Sequence, residues 1–188
     1  MSSGLLILLA IVVVIVLLAI GVYNGLVSGR QQVRNAWSQI DVQLKRRHDL
    51  IPNLVNSVKG AMDFEKSTLT AVTEARNRAV AAKSPQEAMQ AENALSGALG
   101  RFMAVAEAYP QLRSQEGVSA LMEELTATEN KLAFARQHYN DAVQAQNVRV
   151  AAFPGVFFAR MFGFSSETMF EVPATERAAV EAVPQVKL

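Results

Sequence analysis

Few side chains in this chain are suited to acid–base, nucleophilic or metal chemistry, and they form no recognisable motif. The 188 residues include two histidines, His48 and His138, and no cysteine. Zinc and thiol sites need His or Cys at characteristic spacings, and neither histidine has such a partner nearby in the sequence. The ten glycines are scattered and form no phosphate-binding loop. The sequence therefore predicts no catalytic residue, no metal ligand and no cofactor.

The charged side chains indicate helix surfaces rather than an active site. Lys45, Arg46 and Arg47 form the densest basic cluster. Two interpretations of this cluster remain open: a solvated helix face, or a contact for anionic lipid head groups or a partner. The other charged candidates are interpreted as surface groups: the pair of His48 and Asp49, and the acidic face of Glu123, Glu124 and Glu129.

The element on which the rest of the chain depends is the run from Leu5 to Val22, which contains no charged, amide or hydroxyl side chain. Eighteen helical residues span roughly 27 Å, close to the hydrocarbon thickness of a bilayer. The Leu, Ile and Val side chains favour insertion by about 5 to 9 kcal/mol. We predict a transmembrane helix over 5–22 within an anchor of residues 1–22. A cleaved signal peptide and a buried core helix are the alternatives.

The charge distribution predicts the orientation of this anchor. No Lys or Arg precedes it, whereas residues 23–60 carry six Lys or Arg against two Asp. Because positive charge is retained on the cytoplasmic side, we expect the body of the protein in the cytoplasm. Residues 61–188 carry twelve basic against fifteen acidic side chains, which argues against a nucleic-acid partner.

Residues 23–152 show helical periodicity and no strand pattern, so we predict an antiparallel bundle of long helices. Pro52 interrupts the first seam, and Asp49 before it predicts a kink or a tight corner at 49–52. The next helix is expected to end near Ala82. Ser84 is expected to cap a third helix, and Ser114 a fourth that runs to about Ala151. Each predicted helix carries an apolar seam, and the first comprises Val33, Trp37, Ile40, Leu44 and Ile51.

The segment 153–170 is unusually rich in large apolar residues, with six of the nine phenylalanines. One interpretation is a flap that closes the open end of the bundle. The other is a surface for the membrane interface or a neighbouring subunit. Residues 171–188 have no period and are predicted to be a flexible tail. The candidate interface residues are Phe157, Phe158, Met161, Phe162 and Phe164.

Several stretches resemble the LemA family: 23–27, the run Asn35–Gly60, 74–76, 139–143, 153–155 and 161–164. The resemblance implies an N-terminal membrane anchor and a helical-bundle body in bacteria, and hence the inner membrane. It implies no established enzymatic activity. The chain departs from the family at Ala61 and at Phe64–Glu65, where relatives tend to have a tyrosine and a His-Glu pair. A metal-binding role of that histidine therefore does not transfer.

Two hypotheses of function follow. The first is a membrane-anchored structural or scaffolding protein, not an enzyme, whose partners are membrane lipid, further copies of itself and an unidentified protein. Its long seams and its tether to one membrane both favour a homo-oligomer. If the Phe-rich segment is the subunit interface, charged replacements at Phe157 and Phe162 should split the assembly. The alternative is a membrane-tethered sensor or enzyme with a site between the helices.

Overall fold

The computed structural model describes residues 3–59 and 65–170, which consist of helices and loops without a β-strand. The predicted tail 171–188 and the family departures at 61 and 64 lie outside the described residues. The all-α prediction is confirmed: an apolar N-terminal helix precedes an antiparallel bundle of long helices. The elements are α1 (Ser3–Lys59), α2 (Lys66–Ala81), α3 (Pro85–Glu107), α4 (Pro110–Arg113), α5 (Glu116–Ala151) and α6 (Gly155–Met161).

The described residues form two compact units, and α1 and α5 each contribute to both. The first unit contains α1 up to Ile40, α5 from Phe134, and α6 with the segment that follows it to Met169. The second unit contains the remainder of α1, the helices α2, α3 and α4, α5 up to Ala133, and Phe170.

In the first unit α1 and α5 run antiparallel. The Nε2 of Gln146 donates a hydrogen bond to the carbonyl oxygen of Leu26 over 3.2 Å. Further along α1, the ring of Trp37 meets the ring of Tyr139 edge to face at 5.4 Å. From one contact to the next the residue number rises on α1 and falls on α5, so the two helices are antiparallel. Trp37 is half-buried rather than fully enclosed, because Ala36 occupies the buried face of that turn.

The segment after α6 is attached to α5 by side-chain to main-chain hydrogen bonds. Asn147 donates from Nδ2 to the carbonyl oxygen of Glu167 over 2.9 Å, and its Oδ1 accepts from the N–H of Glu167 at 2.8 Å. The hydroxyl of Tyr139 donates to the carbonyl oxygen of Thr168 over 2.9 Å. This part of the Phe-rich segment is therefore held on α5 of its own chain.

The second unit contains the larger apolar core. The predicted seams supply most of it, because residues spaced by three and four positions share one face of a helix. The largest buried apolar side chains of this core are Ile51, Leu54, Val58, Leu69, Val72, Leu95, Leu99, Phe102, Leu112 and Leu125.

Of the two alternatives at 49–52, the tight corner is wrong, because α1 continues through Pro52 to Lys59. Proline has no N–H, so it cannot donate to the carbonyl oxygen four residues earlier, that of His48. The structure supplies another donor: Arg76 of α2 donates from Nε to this oxygen over 3.3 Å. A side chain from a different helix therefore compensates for the missing helical hydrogen bond.

The two predicted caps have different outcomes. Ser84 caps α3 as expected, since its Oγ accepts from the N–H of Glu87 at 3.2 Å. The carboxylate of Glu87 reaches back to the N–H of Lys83 rather than to that of Ser84. Ser114 does not cap α5, because its hydroxyl donates to the carbonyl oxygen of Gln111 over 2.8 Å.

Candidate functional site

Three charged residues of the second unit occupy seam positions of their helices. Arg47 lies three residues after Leu44 on α1, and Glu92 lies three residues before Leu95 on α3. Glu129 lies four residues after Leu125 on α5. Because a seam faces the core, this spacing directs the three charges toward one another inside the unit.

Arg47 is the centre of this arrangement. Its side chain is fully buried and pairs through Nη2 with Glu92 and through Nη1 with Glu129. The same Nη1 donates to the Oγ of Ser96 over 3.0 Å, and Ser96 donates to Glu129 over 3.1 Å. We call the group of Arg47, His48, Glu92, Ser96 and Glu129 the charged cluster.

Glu92 binds two partners with its two oxygens. Oε2 pairs with Arg47, and Oε1 lies 2.6 Å from the Nε2 of His48. Burial raises the pKa of Glu92, but the hydrogen bond with His48 and the charges of Arg47 and His48 outweigh burial. The pKa of Glu92 therefore lies below its ordinary value, and the carboxylate is ionised at neutral pH.

The cluster has the features of a structural ion-pair network. The carboxylate oxygens of Glu92 and the terminal nitrogens of Arg47 are engaged within the unit. Among the described residues, no three His, Asp or Glu side chains are arranged to hold a metal ion. Removing one partner of such a network leaves a buried charge unpaired, which is why the network matters for stability.

The structure corrects several surface assignments made from the sequence. Arg47 is buried and is not available to lipid head groups, and His48 pairs with Glu92 rather than with Asp49. Glu129 belongs to the cluster instead of a solvated face. Lys45 and Arg46 are exposed, and Arg46 pairs with Glu124. A contact of Lys45 and Arg46 with lipid or a partner stays a prediction.

Sequence reasoning missed Glu92 and Ser96 as members of the cluster. The signal for Glu92 was present, since it continues the seam of Leu95 and Phe102 on α3. A charged residue on an apolar seam needs a partner of opposite charge in the same layer. Arg47 and Glu129 meet the same criterion on their own helices.

The candidate interface residues of the first unit separate into exposed and buried groups. Phe157 and Met161 are each 66% exposed, and Phe162 is 46% exposed. Phe158 is half-buried. Phe164 is buried against Leu26 and Ala159, so it is not part of an exposed interface. We call the exposed set of Phe153, Phe157, Met161 and Phe162 the α6 surface.

A groove of about 480 Å³ lies between α3 and α5 in the second unit. Its lining mixes apolar and polar side chains and contains no histidine. The two carboxylates that line it are Glu107 and Glu123. The remaining lining residues are Met103, Ser119, Met122, Thr126, Ala127 and Asn130.

The N-terminal part of α1 is long and apolar enough to cross a membrane by its length and composition. None of this apolar window is buried inside the described structure. The fold and these sites define an all-α protein that carries a membrane-compatible N-terminal helix and a bundle with an internal ion-pair network.

Comparison with known proteins agrees with this class. The model of the LemA family matches residues 36–187, and the chain belongs to the LemA family.

Curated relatives are about a quarter identical to the chain over the aligned residues. Magnetosome protein MamQ 2 of Paramagnetospirillum magneticum is 25% identical over 175 residues, which cover 79% of this chain and 64% of the relative. Magnetosome protein MamQ of Magnetospirillum gryphiswaldense is 24% identical over 87% of this chain and 70% of its own length. Protein LemA of Metamycoplasma hominis is 24% identical over 86% of this chain and 74% of its own length. The chain thus spans 64% of the length of the first of these relatives.

Proposed function

We propose that this protein is a membrane-anchored structural protein without catalytic activity. The apolar part of α1 crosses the bacterial inner membrane once, the helical body lies in the cytoplasm, and copies assemble through their bodies. Orientation and assembly at the membrane both depend on this anchor.

The observation that carries the proposal is the exposure of the apolar segment of α1. From Leu5 to Leu18 the large apolar side chains are each about half exposed, on all sides of the helix. A soluble protein rarely leaves so large an apolar surface uncovered, and a bilayer core is a solvent that favours it. Lipid is therefore the partner that best fits this segment.

A structural role is supported by the internal pairing of the charged cluster. The buried Arg47 pairs with the buried Glu92 and with the partly exposed Glu129, which links α1, α3 and α5 in the second unit. None of the names of the relatives above refers to an enzymatic activity. A stable body suits a scaffolding role, because the membrane tether holds its helix faces at a fixed distance from the bilayer.

Self-assembly is supported by apolar side chains that remain exposed on the body. Phe134 on α5 is 74% exposed, and Val42, Val80 and Val148 are also exposed. Chains confined to one membrane meet at a high effective concentration, so a weak apolar contact is sufficient to hold them together.

The test is the mass of the full-length protein in mild detergent and in lipid nanodiscs. We expect the membrane fraction to contain the uncleaved chain and the purified protein to form a defined oligomer. Phe134→Asp should reduce the number of subunits in the assembly. Gln144→Asp, which places the same charge at another exposed position of α5, should not. A chain shortened by about the first twenty residues, the length of a signal peptide, would contradict the anchor. A strict monomer in both media would contradict the assembly.

A further inference from the structure

We propose that the α6 surface is a second membrane contact, inserted among the lipid head groups beside the point where α1 leaves the bilayer. The inference rests on the proposed anchor and adds to it a named lipid-binding surface. The occupant is the interfacial region of a lipid bilayer.

The position of α6 along α1 is the first argument. Leu26 of α1 forms a buried cluster with Ala159 and Phe164, and Val22 packs against that cluster. The ring of Tyr23 meets the ring of Phe162 edge to face at 4.9 Å. Thus α6 and the residues that follow it pack on the first helical turn beyond the apolar segment.

The dimensions of a bilayer place this turn in the head-group region. Leu26 is four residues beyond Val22, a rise of roughly 6 Å along the helix. The interfacial region on each side of the hydrocarbon core is roughly 5 to 8 Å thick. A segment packed against Leu26 therefore lies at the level of the head groups, not in bulk water.

The amphipathic character of α6 also supports a lipid contact. Phe157 and Met161 are four residues apart on α6, so they share one face, and each is 66% exposed. Phe153 precedes the helix and is 81% exposed. The rings of Phe153 and Phe157 are 6.0 Å apart. Gly155 and Ala159 lie on the opposite, buried face. A helix that lies in a membrane interface typically packs one face on protein and leaves a larger apolar face open to lipid.

Two arginines lie at the edge of the α6 surface. Arg160 is exposed beside Phe157 and Met161 on α6. On α1, the guanidinium of Arg30 lies 4.0 Å from the centre of the Phe164 ring and donates to the carbonyl oxygen of Gly163 over 3.2 Å. Cations beside an apolar face suit the phosphates of anionic lipids, which lie just above the buried acyl region.

A second copy of the chain is the competing occupant of this surface, and a depth measurement separates the two. Trp37 is the single tryptophan, so a Trp37→Phe background gives each introduced tryptophan a signal of its own. The full-length protein is placed in nanodiscs whose lipids carry bromine either near the carbonyl groups or near the bilayer centre. The quenching of tryptophan fluorescence by each lipid then reports depth.

The probe variants are Phe157→Trp and, independently, Met161→Trp. Ile11→Trp reports the anchor itself. Phe134→Trp is the matched control, because it is an exposed aromatic position of the same unit. Position 134 comes before Tyr139 on α5, and Tyr139 contacts Trp37 on α1. Trp37 is roughly 21 Å along α1 from Tyr23, so position 134 lies well away from the head-group region. Circular dichroism confirms that each variant keeps its helical content.

We expect the shallow bromine to quench Phe157→Trp and Met161→Trp several-fold more than Phe134→Trp, and the deep bromine to quench them less than it quenches Ile11→Trp. If Phe157→Trp and Met161→Trp are quenched no more than Phe134→Trp while Ile11→Trp is quenched, the lipid contact is wrong and the anchor stands. Blue-shifted but unquenched emission at 157 would assign the surface to a second copy instead. An unquenched Ile11→Trp would overturn the anchor, whatever the α6 variants show.

Discussion

The side chain of Arg76 donates a hydrogen bond from Nε to the main-chain carbonyl oxygen of His48, at 3.3 Å. This oxygen has no helical donor, because the residue four positions later is Pro52. The contact links α2 to α1 where α1 would otherwise carry an unsatisfied carbonyl group, and it makes a continuous α1 compatible with an internal proline.

The first prediction follows from this pair. Arg76→Ala should lower the free energy of unfolding by about 1 to 2 kcal/mol, because a partly buried carbonyl loses a charged donor. In a Pro52→Ala background the alanine N–H supplies the helical hydrogen bond, so the same change should cost clearly less. Thermal and denaturant unfolding of the full chain in mild detergent, followed by circular dichroism, measure both effects. Equal losses in the two backgrounds would show that Arg76 does not act through the carbonyl group of His48.

The second prediction concerns the buried guanidinium of Arg47. Arg47→Ala leaves the buried carboxylate of Glu92 without its main ion pair and should cost about 3 to 5 kcal/mol. The neighbouring Arg46→Ala is the matched control, because the pair of Arg46 with Glu124 is exposed and should contribute less than about 1 kcal/mol. Unfolding curves of the two variants give the comparison. Similar losses for both would contradict the central position of Arg47 in the charged cluster.

The third prediction is the acid sensitivity that Glu92 confers. Its pKa in the folded protein lies below the ordinary value of 4.5, so folding favours the ionised form. The stability that it contributes is present above pH 4.5 and is lost as the pH falls through the lowered pKa. The slope of unfolding free energy against pH should therefore be smaller in Glu92→Gln than in the wild type below pH 4.5. Identical slopes would mean that the pKa of Glu92 is the same in the folded and unfolded chain.

The fourth prediction compares two glycines within helices. A Cβ at Gly29 would overlap the side chains of Gln146 and Arg149, whereas a Cβ at Gly100 would meet no neighbour within 4 Å. Gly29→Ala should displace Gln146 from its hydrogen bond to Leu26 and lower the unfolding free energy by about 1 kcal/mol or more. Gly100→Ala should raise it by up to about 1 kcal/mol through helix propensity. A stabilising Gly29→Ala would show that α5 does not approach α1 closely at this turn.

The features predicted correctly from the sequence depend on local chemistry. Ser84, Pro85 and Glu87 mark the start of α3 within four residues, and the capping bond forms as expected. Seams such as that of Leu95 and Phe102 identify the buried faces, because helical spacing alone decides which side chains share a face.

The incorrect predictions involve residues that are distant in the sequence. Pro52 indicates a kink or a tight corner when read alone, and the donor that compensates for its missing N–H, Arg76, comes from the next helix. Arg47 resembles a surface cation because it lies within a basic run, and its partner Glu92 is on α3. A charged residue on an apolar seam is evidence against solvent exposure, and that criterion would have identified Arg47. It does not select the partner, which only the packing of the helices determines.

The most direct test of the membrane-anchored account uses the absence of cysteine from the chain. Single cysteines are introduced as Gly4→Cys, Ile11→Cys and Gln90→Cys, and spheroplasts that express each full-length variant are treated with a membrane-impermeant maleimide. We predict that Gly4→Cys is labelled on intact spheroplasts, that Gln90→Cys is labelled only after lysis, and that Ile11→Cys is labelled in neither condition. Labelling of Ile11→Cys, or of Gln90→Cys on intact spheroplasts, would contradict a single span with a cytoplasmic body.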